Sequence, residues 1–379
     1  MPRSTRWVIV AVALAAIAPC TRADDDPEFN GRKMTEWMRL LKEDTTPRIR
    51  RAAAVALGQI GAENRPQLPI ILGALGRALR NDAAPVVRQQ AAAVLGQQKD
   101  ESALVVVPDL TESLRVEKEP GVRREVATAL GRYGKFAKPA VIPLTASLKD
   151  TDPAVRAAAA DALGRIGADA SAALPELSPL LKEKDKSVRQ AAVFALGRIE
   201  PDDKTGPADT LIGMLMSETD LDIRRELVLA LGFLGEKTVS VVASLAGVLA
   251  QDKDVELRRE VVLILAKFGP VSRSAESELK KAFREDKDKL IRAYAVRALG
   301  AAYGTDSPQL ITLLAEGLKA DPDFEVRVAI AEELGATGQY GKAALPYLRQ
   351  AQRDPQIKVR EAATAALKQI ERPAVRIKP

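Results

Sequence analysis

One arginine recurs ten times along the chain, at Arg50, Arg88, Arg123, Arg156, Arg189, Arg224, Arg258, Arg292, Arg327 and Arg360. The steps between them are 38, 35, 33, 33, 35, 34, 34, 35 and 33 residues. Each is preceded directly by an aliphatic residue and followed seven positions later by a leucine. Each also has a carboxylate six positions before it: Asp44, Asp82, Glu117, Asp150, Glu183, Glu218, Asp252, Asp286, Asp321 and Asp354. A fixed period of this size is the signature of stacked supersecondary units, each burying its apolar face on the next. A single closed core is therefore not expected.

Residues 137–167 show how one unit is built. Val141, Leu144 and Leu148 recur at spacings of three and four, which puts them on one face of a helix. Asp152-Pro153 then restarts the chain, the aspartate suited to capping free N–H groups and the proline to the first helical position. Val155, Ala159, Ala162, Leu163 and Ile166 follow at helical spacing, and Gly167 stands where a left-handed residue ends a helix. The unit is two antiparallel helices of about three turns each. Glycine falls eight residues after the arginine at Gly58, Gly96, Gly131, Gly164, Gly197, Gly232, Gly300 and Gly335, with Ala266 and Lys368 as the exceptions. A mid-helix glycine at a repeating position offsets its poor propensity by letting a neighbouring helix approach closely. The expected fold is all-α, an α-solenoid wound as a right-handed superhelix of about ten helix pairs.

Composition narrows the chemistry. The chain has no histidine, and its only cysteine is Cys20. No imidazole base, Ser–His or Cys–His nucleophile pair, or histidine metal site can form. No phosphate loop, nucleophile elbow or paired-cysteine zinc spacing occurs either. The reading is a non-enzyme with no cofactor. Asp24-Asp25-Asp26 lacks the glycine and distant glutamate of a calcium loop, so no metal is assigned there.

The first residues read as an export signal. Arg3 and Arg6 give a positive start, Trp7 to Ala18 form an apolar run, and Thr21-Arg22-Ala23 places small residues around a cleavage site. The run is shorter than the ~20 residues that span a bilayer. Residues 1–23 are thus expected to be a signal peptide, 24–30 a disordered mature N-terminus, 31–371 the ten-repeat solenoid and 372–379 a basic tail. Export to the periplasm or cell exterior follows. Ile17-Ala18-Pro19-Cys20 is similar to a bacterial lipobox, but Pro19 sits where a small residue is wanted, so the soluble form is favoured and membrane attachment would require lipid on Cys20. Removing the three arginines of residues 1–23 from 57 basic residues leaves 54 against 51 acidic, a net charge of +3. No nucleic-acid partner is expected from that balance.

The string acid-x-x-Pro-x-Val-Arg-x-Ala-Ala-x-x-Leu-Gly-x-Ile-Gly, carried best by Asp150 to Gly167, resembles the HEAT repeat family, in particular its short bacterial phycobilin-lyase type. The resemblance covers residues 31–371. It implies that the ten carboxylates and ten arginines above form a hydrogen-bonded ladder along the stack. Asn30-Gly31-Arg32-Lys33 with Trp37 is similar to the start of exported planctomycete-type HEAT proteins. Bilin lyases sharing the repeat make an enzyme-associated subunit the alternative function. Fold alone decides nothing between these.

Two rows on the second helices are candidates for partner contact. Five residues after the ladder arginine the repeats read Val55, Ala93, Thr128, Asp161, Phe194, Leu229, Leu263, Arg297, Glu332 and Ala365. Such mixed polarity marks a position facing solvent on the concave surface. Phe194, Leu229 and Leu263 make it apolar in three consecutive repeats, and Phe233 extends it by one turn. Local curvature burying these side chains is the competing reading. Nine residues after the ladder arginine stand Arg132, Arg165 and Arg198, then Phe233 and Lys267. With Arg225 and Arg259 these cations suit an acidic peptide, an acidic polymer or a lipid headgroup. A helix C-terminus also favours cations without any ligand. The expected function is an exported protein–protein interaction scaffold, monomeric, whose partner the residues do not name.

Overall fold

The computed structural model describes residues 26–98, 102–199, 206–234 and 238–372. The expected signal peptide and nearly all of the expected basic tail lie outside the described residues, as do Asp24 and Asp25. The chain divides into two compact units, one ending at Leu95 and the other beginning at Gly96. The sequence period runs through that division without marking it.

The first unit opens with a two-stranded antiparallel hairpin, β1 (Glu28–Phe29) and β2 (Arg32–Lys33), in which Phe29 faces Arg32 and Glu28 faces Lys33. Helices α1 (Met34–Glu43), α2 (Pro47–Glu63), α3 (Leu68–Asn81) and α4 (Pro85–Leu95) follow. Residues 26–30, expected to be disordered, are instead tied down. Asn30 and Gly31 both take positive φ, 51° and 75°, which is the two-residue turn that matches strand twist. The Trp37 indole N–H donates to Phe29 O at 3.0 Å, and Thr35 N–H and hydroxyl both donate to the Asp26 carboxylate. Arg32 lies over the Trp37 ring at 5.1 Å.

The second unit carries first helices α5 (Ala103–Val116), α7 (Val141–Ser147), α9 (Leu174–Leu177), α11 (Gly206–Ser217), α13 (Val239–Gln251), α15 (Glu276–Glu285), α17 (Pro308–Ala320) and α19 (Leu345–Ala351). Between them run second helices α6 (Pro120–Arg132), α8 (Pro153–Ile166), α10 (Lys186–Arg198), α12 (Leu221–Leu234), α14 (Val255–Phe268), α16 (Lys289–Tyr303), α18 (Phe324–Ala336) and α20 (Ile357–Ile370). Among the described residues no helix is long and apolar enough to cross a membrane.

Several first helices are shorter than three turns. The segment before α7 is a 3-10 run over Gly134–Ala140, and α9 is flanked by 3-10 runs at Gly167–Ala173 and Ser178–Lys182. Pro139, Pro143, Pro175 and Pro179 supply no N–H, so the α-helical ladder restarts around them. The second helices are regular and carry the register. Asp152, Asp185, Asp254, Asp288 and Asp323 cap five of them through N–H groups two or three residues on. Gly167 closes α8 at φ 77°, and Gly269 closes α14 at φ 59°.

Second helices pack directly on one another through the repeating glycine. A methyl placed on Gly131 would sit 3.0 Å from Ala162 Cα, and one on Gly197 would sit 2.7 Å from Ala230 Cα. One pair departs from this plan. Glu333 occupies the position that holds alanine in most repeats, and its carboxylate lies over Gly300 of the preceding second helix. Burial pushes the Glu333 carboxyl above the usual range and the nearby Glu332 adds to this, while Arg297 pulls the other way. A carboxyl whose pKa is raised by folding stabilises the fold fully below its unfolded pKa, and that stabilisation is lost as pH rises through the folded value. Glu333→Gln is therefore expected to raise stability at neutral pH by on the order of 1 kcal/mol. The gain should shrink toward zero as pH falls below ~4.3; a gain that does not change with pH in urea unfolding would contradict this origin.

Candidate interaction face

The turn between the two helices of a repeat determines where the second-helix face points. In nine of the ten described turns, that of Glu183 excepted, the ladder carboxylate accepts a backbone N–H two residues on, as Asp150 does from Asp152 and Asp321 from Asp323, both at 2.9 Å. The arginine six residues later, in every described turn but that of Arg224, donates Nη1 back to that acid's main-chain oxygen: Arg156 to Asp150 O at 2.8 Å, Arg292 to Asp286 O at 3.0 Å. Its remaining N–H groups point into the following repeat. Arg50 grips Asp82, Arg123 grips Asp150, Arg292 grips Asp321 and Arg327 grips Asp354, each through Nε and Nη2 to both carboxylate oxygens, at 2.6–3.0 Å. Arg258 holds Asp286 the same way at 3.2 Å, and Arg224 contacts Asp252.

The spacing of six residues suggests that each arginine pairs with the acid before it, but the side-chain pairing runs forward instead. The arginine takes main-chain oxygens of its own turn and gives its charge to the next one. Two of the glutamate rungs are looser: Arg156 reaches Glu183 with one contact at 3.2 Å, and Arg189 reaches Glu218 at 3.4 Å. Asp150 and Asp354 are pushed up by burial, but their arginine and backbone hydrogen bonds outweigh it and hold both below the usual carboxylate range.

A second row of ion pairs runs beside the ladder and was not anticipated. Arg259 reaches the capping Asp288 at 2.6 Å, Arg225 reaches Asp254 at 3.5 Å, and Lys186 and Lys289 reach Asp220 and Asp323. The available signal was the aspartate that recurs two residues after the ladder acid, at Asp152, Asp185, Asp220, Asp254, Asp288 and Asp323. Arg225 and Arg259, expected to face a ligand with the cationic row, are thus occupied within the stack.

The partner-contact candidates fall on α6, α8, α10, α12 and α14, and the structure interleaves the two rows. Phe194 is half-buried, its ring lying over Gly164 of α8 where a methyl would come within 2.8 Å of it. Arg198 stacks on the Phe194 ring at 5.0 Å and on the Phe233 ring at 4.5 Å. Arg165 also lies over the Phe194 ring at 5.8 Å and is held at 2.6 Å by Asp161 on its own helix. Guanidinium and ring therefore alternate from α8 to α12. Leu229, Phe233 and Leu263 are 41%, 60% and 39% exposed, so local burial does not hide them. Arg132 and Lys267 are exposed and form no ion pair among the described residues.

Two carboxylates, Glu226 and Glu260, also stand beside these groups. Burial pushes Glu226 up, against the pull of Arg198 and with Asp161 adding to the rise. Burial likewise raises Glu260, whose Oε2 is enclosed with no hydrogen-bond partner among the described residues.

Helix pairs joined by a forward guanidinium–carboxylate ladder, with second helices in glycine contact, define a class of α-solenoid. The model for HEAT repeats matches residues 72–145, 141–208, 208–299 and 276–368, and the chain belongs to the HEAT repeat family. The fold is similar to crystal structures of Kap121p, at 16% identity and a TM-score of 0.53, and of two Kap121p mutants, at 15% and 16% identity with TM-scores of 0.52 and 0.57. Each likeness takes in 89% of this chain but only 40–45% of the other, so the chain spans less than half the length of these structures. No curated protein matches the chain in sequence.

Proposed function

We propose that this protein is a non-catalytic interaction scaffold, exported from the cell, that docks a partner protein on the second-helix face of α8 to α14. The observation that carries the reading is the exposed apolar strip of Leu229, Phe233 and Leu263, continuous with the half-buried Phe194 ring. A regular second helix spends its apolar residues on its neighbours, and these are left over. Contiguous exposed apolar groups rimmed by polar ones mark interaction sites. The export half of the reading rests on residues 1–23 alone.

The test places a photo-crosslinking amino acid at position 263 and irradiates cells that express the full chain. A discrete crosslinked protein that disappears when Phe194, Leu229 and Phe233 are all changed to serine supports the scaffold. Identical crosslinking with that variant would remove the strip as the docking site. Fractionation of the same cells checks export: protein retained in the cytosol at full length would refute it.

A further inference from the structure

Resting on the scaffold reading, we propose that the partner presents an extended, acidic segment to this face, with carboxylates at about every third residue and apolar side chains between them. The spacing follows from two lengths. Neighbouring packed helices stand ~10 Å apart, and an extended polyproline-II chain advances ~3.1 Å per residue with about three residues per turn, which keeps every third side chain on one face. A peptide crossing the second helices at right angles thus meets one helix at about every third residue.

The sign of the charge follows from what each helix offers at its C-terminal turn. Arg132, Arg165, Arg198 and Lys267 occupy the same register in four repeats, and Phe233 takes that register in a fifth. Arg198 is not consumed by an acid. Two rings hold it by their faces, which leaves the edges of the guanidinium and its N–H groups to an incoming carboxylate. Arg132 and Lys267 stand at the two ends of the row with no ion pair among the described residues.

The apolar groups separate a protein segment from a wholly polar anion. A phosphate polymer has no use for Leu229, Phe233 and Leu263 lying beside the cations, and an anionic lipid surface is the competitor that the vesicles below test. A peptide that alternates carboxylates with leucine or phenylalanine engages both. Its extended backbone needs no fold of its own, and the alternation of ring and guanidinium on the surface is matched by alternation in the ligand.

The experiment measures binding of a fluorescent peptide of about 13 residues bearing glutamate at every third position and leucine or phenylalanine between. It uses the full-length mature protein and fluorescence anisotropy. The comparison ligands are the same residues with all acids grouped at one end, a long-chain polyphosphate, and phosphatidylglycerol vesicles. The spaced peptide should bind, the grouped one more weakly, and affinity should fall as salt rises. Arg198→Ala and Phe233→Ser should each weaken the spaced peptide about tenfold, with thermal unfolding unchanged because both side chains are exposed. Equal binding of the grouped peptide, tighter binding of polyphosphate or vesicles, or no effect of Arg198→Ala would each overturn the proposal. Loss of the crosslink at position 263 in the serine variant, together with no peptide binding, would overturn the acidic partner while leaving the scaffold standing. Failure of both experiments removes both.

Discussion

Replacing Arg292 by alanine should destabilise the second unit by about 3–5 kcal/mol, the cost of stranding one member of a buried ion pair. Arg292 and Asp321 form one of the two most enclosed rungs among the described ion pairs, with side chains only 11% and 7% exposed. Removal of the guanidinium leaves Asp321 charged and half-satisfied, and also frees the oxygens of Asp286 and Lys287 that Arg292 caps. For this reason the apolar substitution that rescues some buried pairs should fail here. An Arg292→Met, Asp321→Leu double variant would still lose three hydrogen bonds to backbone groups. Urea unfolding followed by circular dichroism, with hydrogen exchange in α16 and α18, measures both effects. A stability loss below about 1 kcal/mol for Arg292→Ala would reduce the ladder to surface ion pairing.

The forward direction of the rungs is separately testable. In double-mutant cycles, Arg189 should couple to Glu218 and not to the side chain of Glu183, whose carbonyl it uses. Titration offers a further check. Asp82, Asp150, Asp252 and Asp354 are all held below the usual range. A depressed carboxyl stabilises the fold above its unfolded pKa of ~3.9 and loses that contribution as pH falls through the folded value. Acid unfolding should therefore begin only below about pH 4, and Asp150→Asn should flatten the slope there.

Glycines in this chain should respond to alanine with opposite signs according to where they lie. Gly197→Ala is expected to cost about 1–3 kcal/mol, since the new methyl would meet Ala230 Cβ at 2.5 Å and its backbone Cα at 2.7 Å. That collision cannot be relieved by one flexible side chain, so α10 and α12 must separate. The helix-propensity gain of ~1 kcal/mol does not offset it. Gly213 in α11 and Gly247 in α13 have nothing within 4 Å of the same added atom. There alanine should stabilise by about 0.5–1 kcal/mol. A series in which all three shift the unfolding midpoint in one direction would refute the packing account.

Much of this fold could be read from residues because it repeats. The ladder positions, the capping aspartates and the contact glycine each occur in most repeats, so chance matches at any one site are averaged away. The direction of the rungs could not be read, and the reason is also the repetition. In a periodic chain, the acid six residues before one arginine is the acid 27–32 residues after the previous one. Both offsets are the same pattern in sequence, and only geometry separates them. The N-terminal hairpin failed differently: Asn30-Gly31 is a strong turn signal, but strands of two residues give no alternation to support it. At the candidate face, Phe194 and Arg198 were seen as members of separate rows. Their stacking depends on how side chains from adjacent helices cross, which no single-helix pattern encodes.

Asymmetric rungs also govern how such a chain can change length. Every junction within a unit takes one guanidinium from the earlier repeat and one carboxylate from the later. Duplicating or deleting a whole repeat leaves that exchange balanced, so no new buried charge is orphaned. An insertion of half a repeat would strand one partner, at the cost expected above for Arg292→Ala. Among the described residues, Asp44 has no arginine reaching it from an earlier repeat, and Arg360 donates only to the oxygens of Asp354 and Pro355. Those two unmated groups are where the array could be extended, with the incoming repeat supplying the missing half of the rung.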